Sequence, residues 1–254
     1  MKNICKLICV AALLSSPLGW AAGGSAPLFH MNVDVHHQKS LQRGAKLFVN
    51  YCLSCHSLAY SRYNRVAKDL GISEENMREN LMFTGRKYGD TMTVAMTADQ
   101  GKQWFGASPP DLSVRARSRG ADWIYSFLKS FYVDEKAIRG VNNKMLPGTS
   151  MPHVLWELQG LQALKEDSHS DSHSEEAESG HGGGDHSPFE LAVPGQLTPE
   201  EYDKAMVDLV NFLVYVGEPA QLNRKSIGVG VLFFLAALGV LAYFMKRDYW
   251  KDVH

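Results

Sequence analysis

The chain has 254 residues, of which 45% are hydrophobic, and its formal net charge is −1. This size allows one good-sized globular domain with accessory segments, and the near-neutral charge gives no indication of nucleic-acid binding. Of the four cysteines, Cys5 and Cys9 lie in an N-terminal segment that we expect to be removed, which leaves no cysteines for a disulfide framework beyond Cys52 and Cys55.

Residues 1–21 have the pattern of a cleaved signal peptide. Lys2 and Lys6 form a basic start, residues 8–14 are apolar, and residues 19–21 offer a small-x-small cleavage site. An uncleaved anchor is the alternative, but the apolar run is too short to span about 30 Å of hydrocarbon. We therefore expect export, and the mature chain then has 24 basic against 27 acidic residues.

The first predicted helix of the mature chain covers residues 40–50, with Ser40 as its N-cap. Gly44 and Phe48 are one turn apart on its apolar face, and a small residue beside an aromatic one lets another helix approach closely.

This helix leads into the motif Cys52-Leu53-Ser54-Cys55-His56. A Cys-x-x-Cys-His run is the attachment signature of a c-type haem, in which the thiols bind the haem and the imidazole becomes an axial iron ligand. A redox-active Cys-x-x-Cys and half of a zinc site are the alternatives. The first requires a surrounding βαβ pattern and the second requires another ligand pair, and neither pattern is present. We expect one covalently bound haem c.

The middle of the chain is predicted to combine short helices with long loops. One helix covers residues 74–83 and ends at Gly85, and an aromatic-rich helix covers residues 122–132. Between them, Pro109-Pro110 fixes an extended backbone that either forms a wall of the haem site or is a plain turn. Three arginines precede the second helix, and such a cluster in a near-neutral chain indicates an anion, such as the haem propionates: Arg115, Arg117 and Arg119.

The sixth iron ligand is expected on the loop of residues 142–155. A thioether ligand raises the haem potential because soft sulfur favours ferrous iron. Met145, Met151 and His153 all lie on this loop, and the residues alone do not choose among them.

Residues 166–187 have seven acidic residues, no Lys or Arg and four histidines, and we expect a disordered insert. The histidines are candidates for weak metal binding, but their spacing is irregular. Folding is expected to resume at Leu197, where Thr198 is an N-cap, Pro199 follows at the first helical position and Glu201 closes a capping box. This helix is predicted to pack against the helix that carries Gly44.

Residues 226–245 carry no charge and would be about 30 Å long as a helix, which matches the hydrocarbon core of a membrane. A buried helix of a soluble protein is the alternative. Together with the export signal, the segment predicts a domain of residues 22–222 in the periplasm, one transmembrane anchor and a cytoplasmic tail of residues 246–254.

Five stretches of the sequence, in this order, resemble the cytochrome c1 family, the haem c subunits of ubiquinol:cytochrome c oxidoreductase. They are Leu41 to Lys46, Cys52 to Ser57, Pro109 to Ser113, Arg115 to Arg117, and Met151 to Leu155. The resemblance implies a mainly α, class I cytochrome c-like domain with long loops and one C-terminal transmembrane helix. It also implies that Met151 is the axial ligand opposite His56 and that Arg117 binds a propionate.

The resemblance further implies a membrane-anchored electron carrier of the bacterial inner membrane, with no substrate site of its own. Its partners would be cytochrome b, a Rieske iron-sulfur protein and a soluble cytochrome c, in a dimeric complex. The alternatives are a haem peroxidase-like enzyme, which needs an open iron coordination site, and the monohaem subunit of a terminal oxidase or nitric oxide reductase.

Overall fold

The computed structural model describes residues 27–83, 87–165 and 187–251. The predicted signal peptide, Gly85 and residues 166–186 of the predicted insert lie outside the described residues.

Helices dominate the described part of the chain, as predicted. They are α1 (Gln38–Leu47), α2 (Tyr63–Leu70), α3 (Glu74–Asn80), α4 (Ala98–Phe105), α5 (Arg115–Arg119), α6 (Ala121–Lys129), α7 (Trp156–Gln159), α8 (Pro199–Gly217) and α9 (Gln221–Tyr249). A π-helical turn, Phe48–Cys52, continues α1. The described residues also form three two-stranded antiparallel sheets: β1 (Leu58–Arg62) pairs with β2 (Thr91–Met92), β3 (Phe131–Val133) with β4 (Val141–Asn143), and β5 (Gly160–Leu164) with β6 (Phe189–Pro194).

The core is built on the crossing of α1 and α8, which confirms the predicted pairing of these helices. A Cβ atom on Gly44 would overlap the backbone of Asp208 and lie 2.7 Å from the Cβ of Phe212. The rings of Phe48 and Phe212 pack beside this contact with their centroids 5.8 Å apart. Because α1 runs directly into the Cys-x-x-Cys-His motif, this crossing fixes the position of the motif.

The start of α8 is as predicted, whereas the start of α1 is not. Thr198 caps α8 in a full capping box with Glu201. α1 begins at Gln38, and Ser40 is not its N-cap. The hydroxyl of Ser40 is buried and accepts a hydrogen bond of 3.1 Å from the side-chain amide of Asn211, so a contact with α8 takes the place of the capping role.

Two predicted helices are shorter than expected. α3 ends at Asn80, and α6 ends at Lys129, where the chain turns into the strand β3. Folding also resumes before Leu197, because β6 starts at Phe189 and pairs with β5. These two strands bracket the predicted insert.

The C-terminal helix α9 has 29 residues, and its most apolar window has a mean hydropathy of 2.4. It is longer than the predicted span of 226–245, and its apolar side chains are exposed. Exposure of this kind does not fit the buried core helix that was the alternative. By length and composition, α9 is able to cross a membrane.

Candidate haem-binding site

A mostly apolar cavity of about 460 Å³ lies beside the Cys-x-x-Cys-His motif. Its volume falls within the roughly 300–1,000 Å³ of cofactor and ligand sites. The motif and the π-helical turn, the 105–112 segment, α5, α6, the loop before α7, and α8 all contribute to its lining.

His56 lines this cavity and is half-buried. Its Nδ1 lies 2.7 Å from the carbonyl oxygen of Pro110. A carbonyl only accepts, so Nδ1 carries the hydrogen and Nε2 is the nitrogen left with a lone pair for a metal. Burial lowers the pKa of His56, and the bond to Pro110 offsets this in part. A neutral imidazole, oriented by a backbone carbonyl on its other nitrogen, has the form of an iron ligand.

The backbone of Pro110 is itself held against the motif. The amide of Leu112 donates to the carbonyl of Ser57 at 2.9 Å, and the amide of Ala59 donates to a carboxylate oxygen of Asp111 at 2.8 Å. Pro109 and Pro110 both line the cavity, in agreement with the proposed wall. The orienting role of Pro110 could not be predicted from the sequence, because every residue has a backbone carbonyl and only the fold decides which one meets His56.

The two thiols of the motif both line the cavity. Cys52 is buried, and burial raises the pKa of its thiol to about 12. Redox-active cysteines have lowered pKa values, so this environment does not suit a thioredoxin-like pair. Nor do the described residues contain a group of three or more His, Cys, Asp or Glu side chains suited to a metal ion, as a zinc site would require. The thiols therefore fit haem attachment best.

The three candidates for the sixth ligand are separated by the fold. Met151 lines the cavity and is partly buried, whereas Met145 is buried in the core and does not line it. His153 is buried with its ring stacked on Phe131 at 4.9 Å, and it is also absent from the lining. Burial lowers the pKa of His153 to about 4.

Two asparagines that were not predicted to have a role, Asn142 and Asn143, anchor the loop that carries Met151. The buried side-chain oxygen of Asn143 accepts from the amide of Met145 at 2.9 Å, and its amide group donates to the carbonyl of Phe127 at 2.8 Å. Asn142 accepts from the amide of Gly148 at 2.8 Å. These bonds attach the loop to the end of α6.

The arginine cluster reaches the cavity through two of its three members. Arg117 and Arg119 are both exposed, and Arg115 is partly buried. Arg115 and Arg119 line the cavity, whereas Arg117 lies beside Gly217 of α8 and is not part of the lining. The reason is helical geometry, because residues four apart share a face of a helix and residues two apart do not. The i, i+4 spacing was the available signal for Arg115 and Arg119. The role of Arg117 at a propionate stays a prediction.

Comparison with known proteins gives a family model that covers most of the chain and several similar relatives. The model described as "Cytochrome C1 family" matches residues 28–178 and 196–253. Cytochrome c1 of Allochromatium vinosum is 50% identical over 251 residues, which are 98% of this chain and 99% of that protein. A Nitrosomonas europaea protein named ammonia monooxygenase gamma subunit is 42% identical over 249 residues, 98% of each chain. Cytochrome c1 of Rhodospirillum rubrum is 27% identical over 279 residues, 95% of this chain and 97% of that protein.

Proposed function

Because the chain belongs to the cytochrome c1 family, we propose that its cavity holds one covalent haem c between His56 and Met151. The chain is a membrane-anchored electron carrier of the quinol:cytochrome c oxidoreductase, together with cytochrome b and a Rieske iron-sulfur protein. It passes single electrons from the Rieske protein, and its acceptor is a soluble cytochrome c. The observation that carries the site assignment is the convergence of Cys52, Cys55, His56 and Met151 on one cavity.

Each residue of the site has a separate task. The thiols of Cys52 and Cys55 would bind the haem covalently and so prevent its loss, and Nε2 of His56 and the sulfur of Met151 would hold the iron. When bound, the haem supplies an iron that exchanges one electron between the ferric and ferrous states. The thioether of Met151 favours the ferrous state. The apolar side chains of Leu209 and Leu213, with Pro109 and Pro110, keep water from the iron.

The proposed ligand set distinguishes a carrier from a catalyst. Peroxidase or oxygenase chemistry needs an open or exchangeable position at the iron, and a haem held by both His56 and Met151 would offer none. The name of the Nitrosomonas europaea relative therefore does not suggest monooxygenase activity for this site. Membership of the cytochrome c1 family also argues against the other alternative, a monohaem subunit of a terminal oxidase or nitric oxide reductase.

The site is tested by expressing the full chain in a host that matures c-type cytochromes and purifying it from detergent-solubilised membranes. The haem should stay attached under denaturing conditions, and the ferrous spectrum should be low-spin and unaffected by carbon monoxide. Cys52→Ala and Cys55→Ala should each weaken or abolish covalent attachment. A spectrum that responds strongly to carbon monoxide would overturn the assignment of two protein ligands.

The partners and the orientation need their own tests. Cytochrome b and the Rieske protein should co-purify, and light scattering of that complex should give the mass of a dimer. We propose that the haem domain faces the periplasm, on the strength of the export signal, with residues 246–254 in the cytoplasm. A reporter enzyme that is active only in the periplasm should be inactive when it is fused after His254. Activity of this fusion would show that the C-terminus lies in the periplasm and would contradict the proposed orientation.

A further inference from the structure

The cavity contains a cation that is stacked on an aromatic ring. The guanidinium carbon of Arg119 lies 5.1 Å from the centroid of the Trp123 ring, and both side chains line the cavity. Arg119 ends α5 and Trp123 lies in the first turn of α6. Between them, Gly120 has a φ of +88°, a left-handed conformation that suits glycine and turns one helix into the next.

The ring of Trp123 has a fixed orientation because it is one end of an aromatic column. It stacks on Phe127 with centroids 5.4 Å apart and ring planes 9° apart. Phe127 meets Phe131 edge to face at 5.2 Å, and Phe131 stacks on His153 at 4.9 Å. Phe127 and Phe131 are buried, so the column runs from the core to the cavity and keeps Trp123 from rotating.

A planar guanidinium stacks well on an indole face, and the long arginine side chain loses freedom when it does so. Trp123 therefore restricts where the charge of Arg119 is found. The Arg119 side chain is exposed, so solvent screens part of its charge, but a cation beside the cavity still makes a nearby positive centre less favourable. Ferric haem carries one more positive charge than ferrous haem. A cation held at the cavity thus favours the reduced form, either directly or by pairing with a propionate.

We propose that Trp123 is a positioning residue that holds Arg119 at the haem and thereby raises the midpoint potential of this carrier. The proposal rests on the haem site of the proposed function and adds to it a residue pair outside the ligand set. Arg115 lines the same cavity, and its charge adds to burial in lowering the pKa of His56, so the two cations act on different groups.

The test is a redox titration of the purified, haem-loaded protein in four forms: wild type, Arg119→Gln, Trp123→Leu and the double variant. We expect each single variant to lower the midpoint potential. At a fixed solution potential the ratio of ferric to ferrous protein should rise about threefold, which corresponds to about 28 mV for one electron. The double variant should be no lower than Arg119→Gln alone, because Trp123 acts through Arg119. Trp123→Phe keeps an aromatic face and should restore most of the potential.

Arg78 supplies a matched control. Arg78 lies on α3, and its guanidinium carbon is 5.2 Å from the centroid of the Tyr88 ring. Arg78 is not part of the cavity lining. Arg78→Gln removes the same charge and the same kind of contact, and should leave the potential unchanged. The proposal is overturned if Arg119→Gln leaves the potential as unchanged as Arg78→Gln does. It is also overturned if Trp123→Leu shifts the potential by the same amount in the wild type and in the Arg119→Gln background.

Failure of the haem site itself would look different. Absence of covalent haem from the wild type would contradict the proposed function, whereas normal attachment with unchanged potentials would contradict only the role of Trp123. If Trp123→Leu loses its haem through misfolding, Arg119→Gln and Trp123→Phe still decide the matter. Arg119→Gln must then lower the potential, and Trp123→Phe must stay near the wild type.

Discussion

Replacement of Met151 by leucine tests the assignment of the sixth ligand. The two side chains have similar volumes, and Met151 is only partly buried, so the substitution should cost less than about 1.5 kcal/mol of folding free energy. For a domain of this size, that corresponds to a drop in melting temperature of less than about 6 °C. The haem should therefore stay attached in a folded protein that has lost its thioether.

The expected change in potential is much larger than the change in stability. Axial-ligand identity sets haem potentials over about 0.8 V, so loss of the thioether should lower the midpoint by on the order of 200 mV. For one electron this is about 4.6 kcal/mol, roughly three times the largest expected folding cost. The ferrous variant should also bind carbon monoxide, because one axial position becomes free. Redox titration and optical spectra of the purified protein measure both effects.

Met145→Leu is the matched control, because it makes the same chemical change on the same loop. Met145 is 3% exposed and outside the cavity lining, so its substitution should affect melting more than potential. Met151 would not be the sixth ligand if Met145→Leu caused the drop in potential, or if Met151→Leu kept the wild-type potential and the insensitivity to carbon monoxide. In the second case His153 would be the next ligand to test by substitution.

Two further predictions concern the fold around the site. Gly44→Ala should cost about 1–3 kcal/mol by forcing α1 from α8, and thermal melting should show it. Gly89→Ala, where a Cβ meets nothing within 4 Å, is its control. Burial alone would raise the pKa of Asp122, but hydrogen bonds from His30 and the backbone of Met31 bring it below its usual range. The ionised carboxylate thus stabilises the fold above the unfolded pKa of about 3.9, and that stabilisation is lost as the pH falls through the folded value. Asp122→Asn should melt earlier than the wild type at pH 6, by a difference that shrinks under acid; an equal difference at all pH values would contradict this.

The features that were predicted correctly from the sequence are set by residues that are close together in the chain. The capping box at Thr198 and the apolar span inside α9 are local patterns, and their structures follow from neighbours in the chain. The start of α1 was wrong because a distant residue, Asn211, decides the role of Ser40. The strand pairs were not predicted, because strands of two to six residues are too short for a reliable alternating pattern.

The residues of the cavity lining likewise divide into those that could be predicted from the sequence and those that depend on how the helices pack. Cys52, Cys55 and His56 are adjacent in the chain and could be chosen together, whereas the face of α5 that meets the cavity depends on how α5 packs on α8. Family resemblance selected Arg117, and the structure brings Arg115 and Arg119 to the lining. Which arginine acts on a propionate is a question about helix orientation, which the residues of a five-residue helix do not determine.

The two proposed iron ligands share a physical property that suits an electron carrier. The imidazole of His56 is fixed by the carbonyl of Pro110, and the loop of Met151 is fixed through Asn143 to the end of α6. Ligands held in this way need little rearrangement when the charge of the iron changes by one unit. A catalyst at the same iron would need one ligand to leave, and would have to break the attachment of that ligand first. The anchoring of both sides of the cavity therefore favours fast, reversible electron exchange over chemistry at the metal.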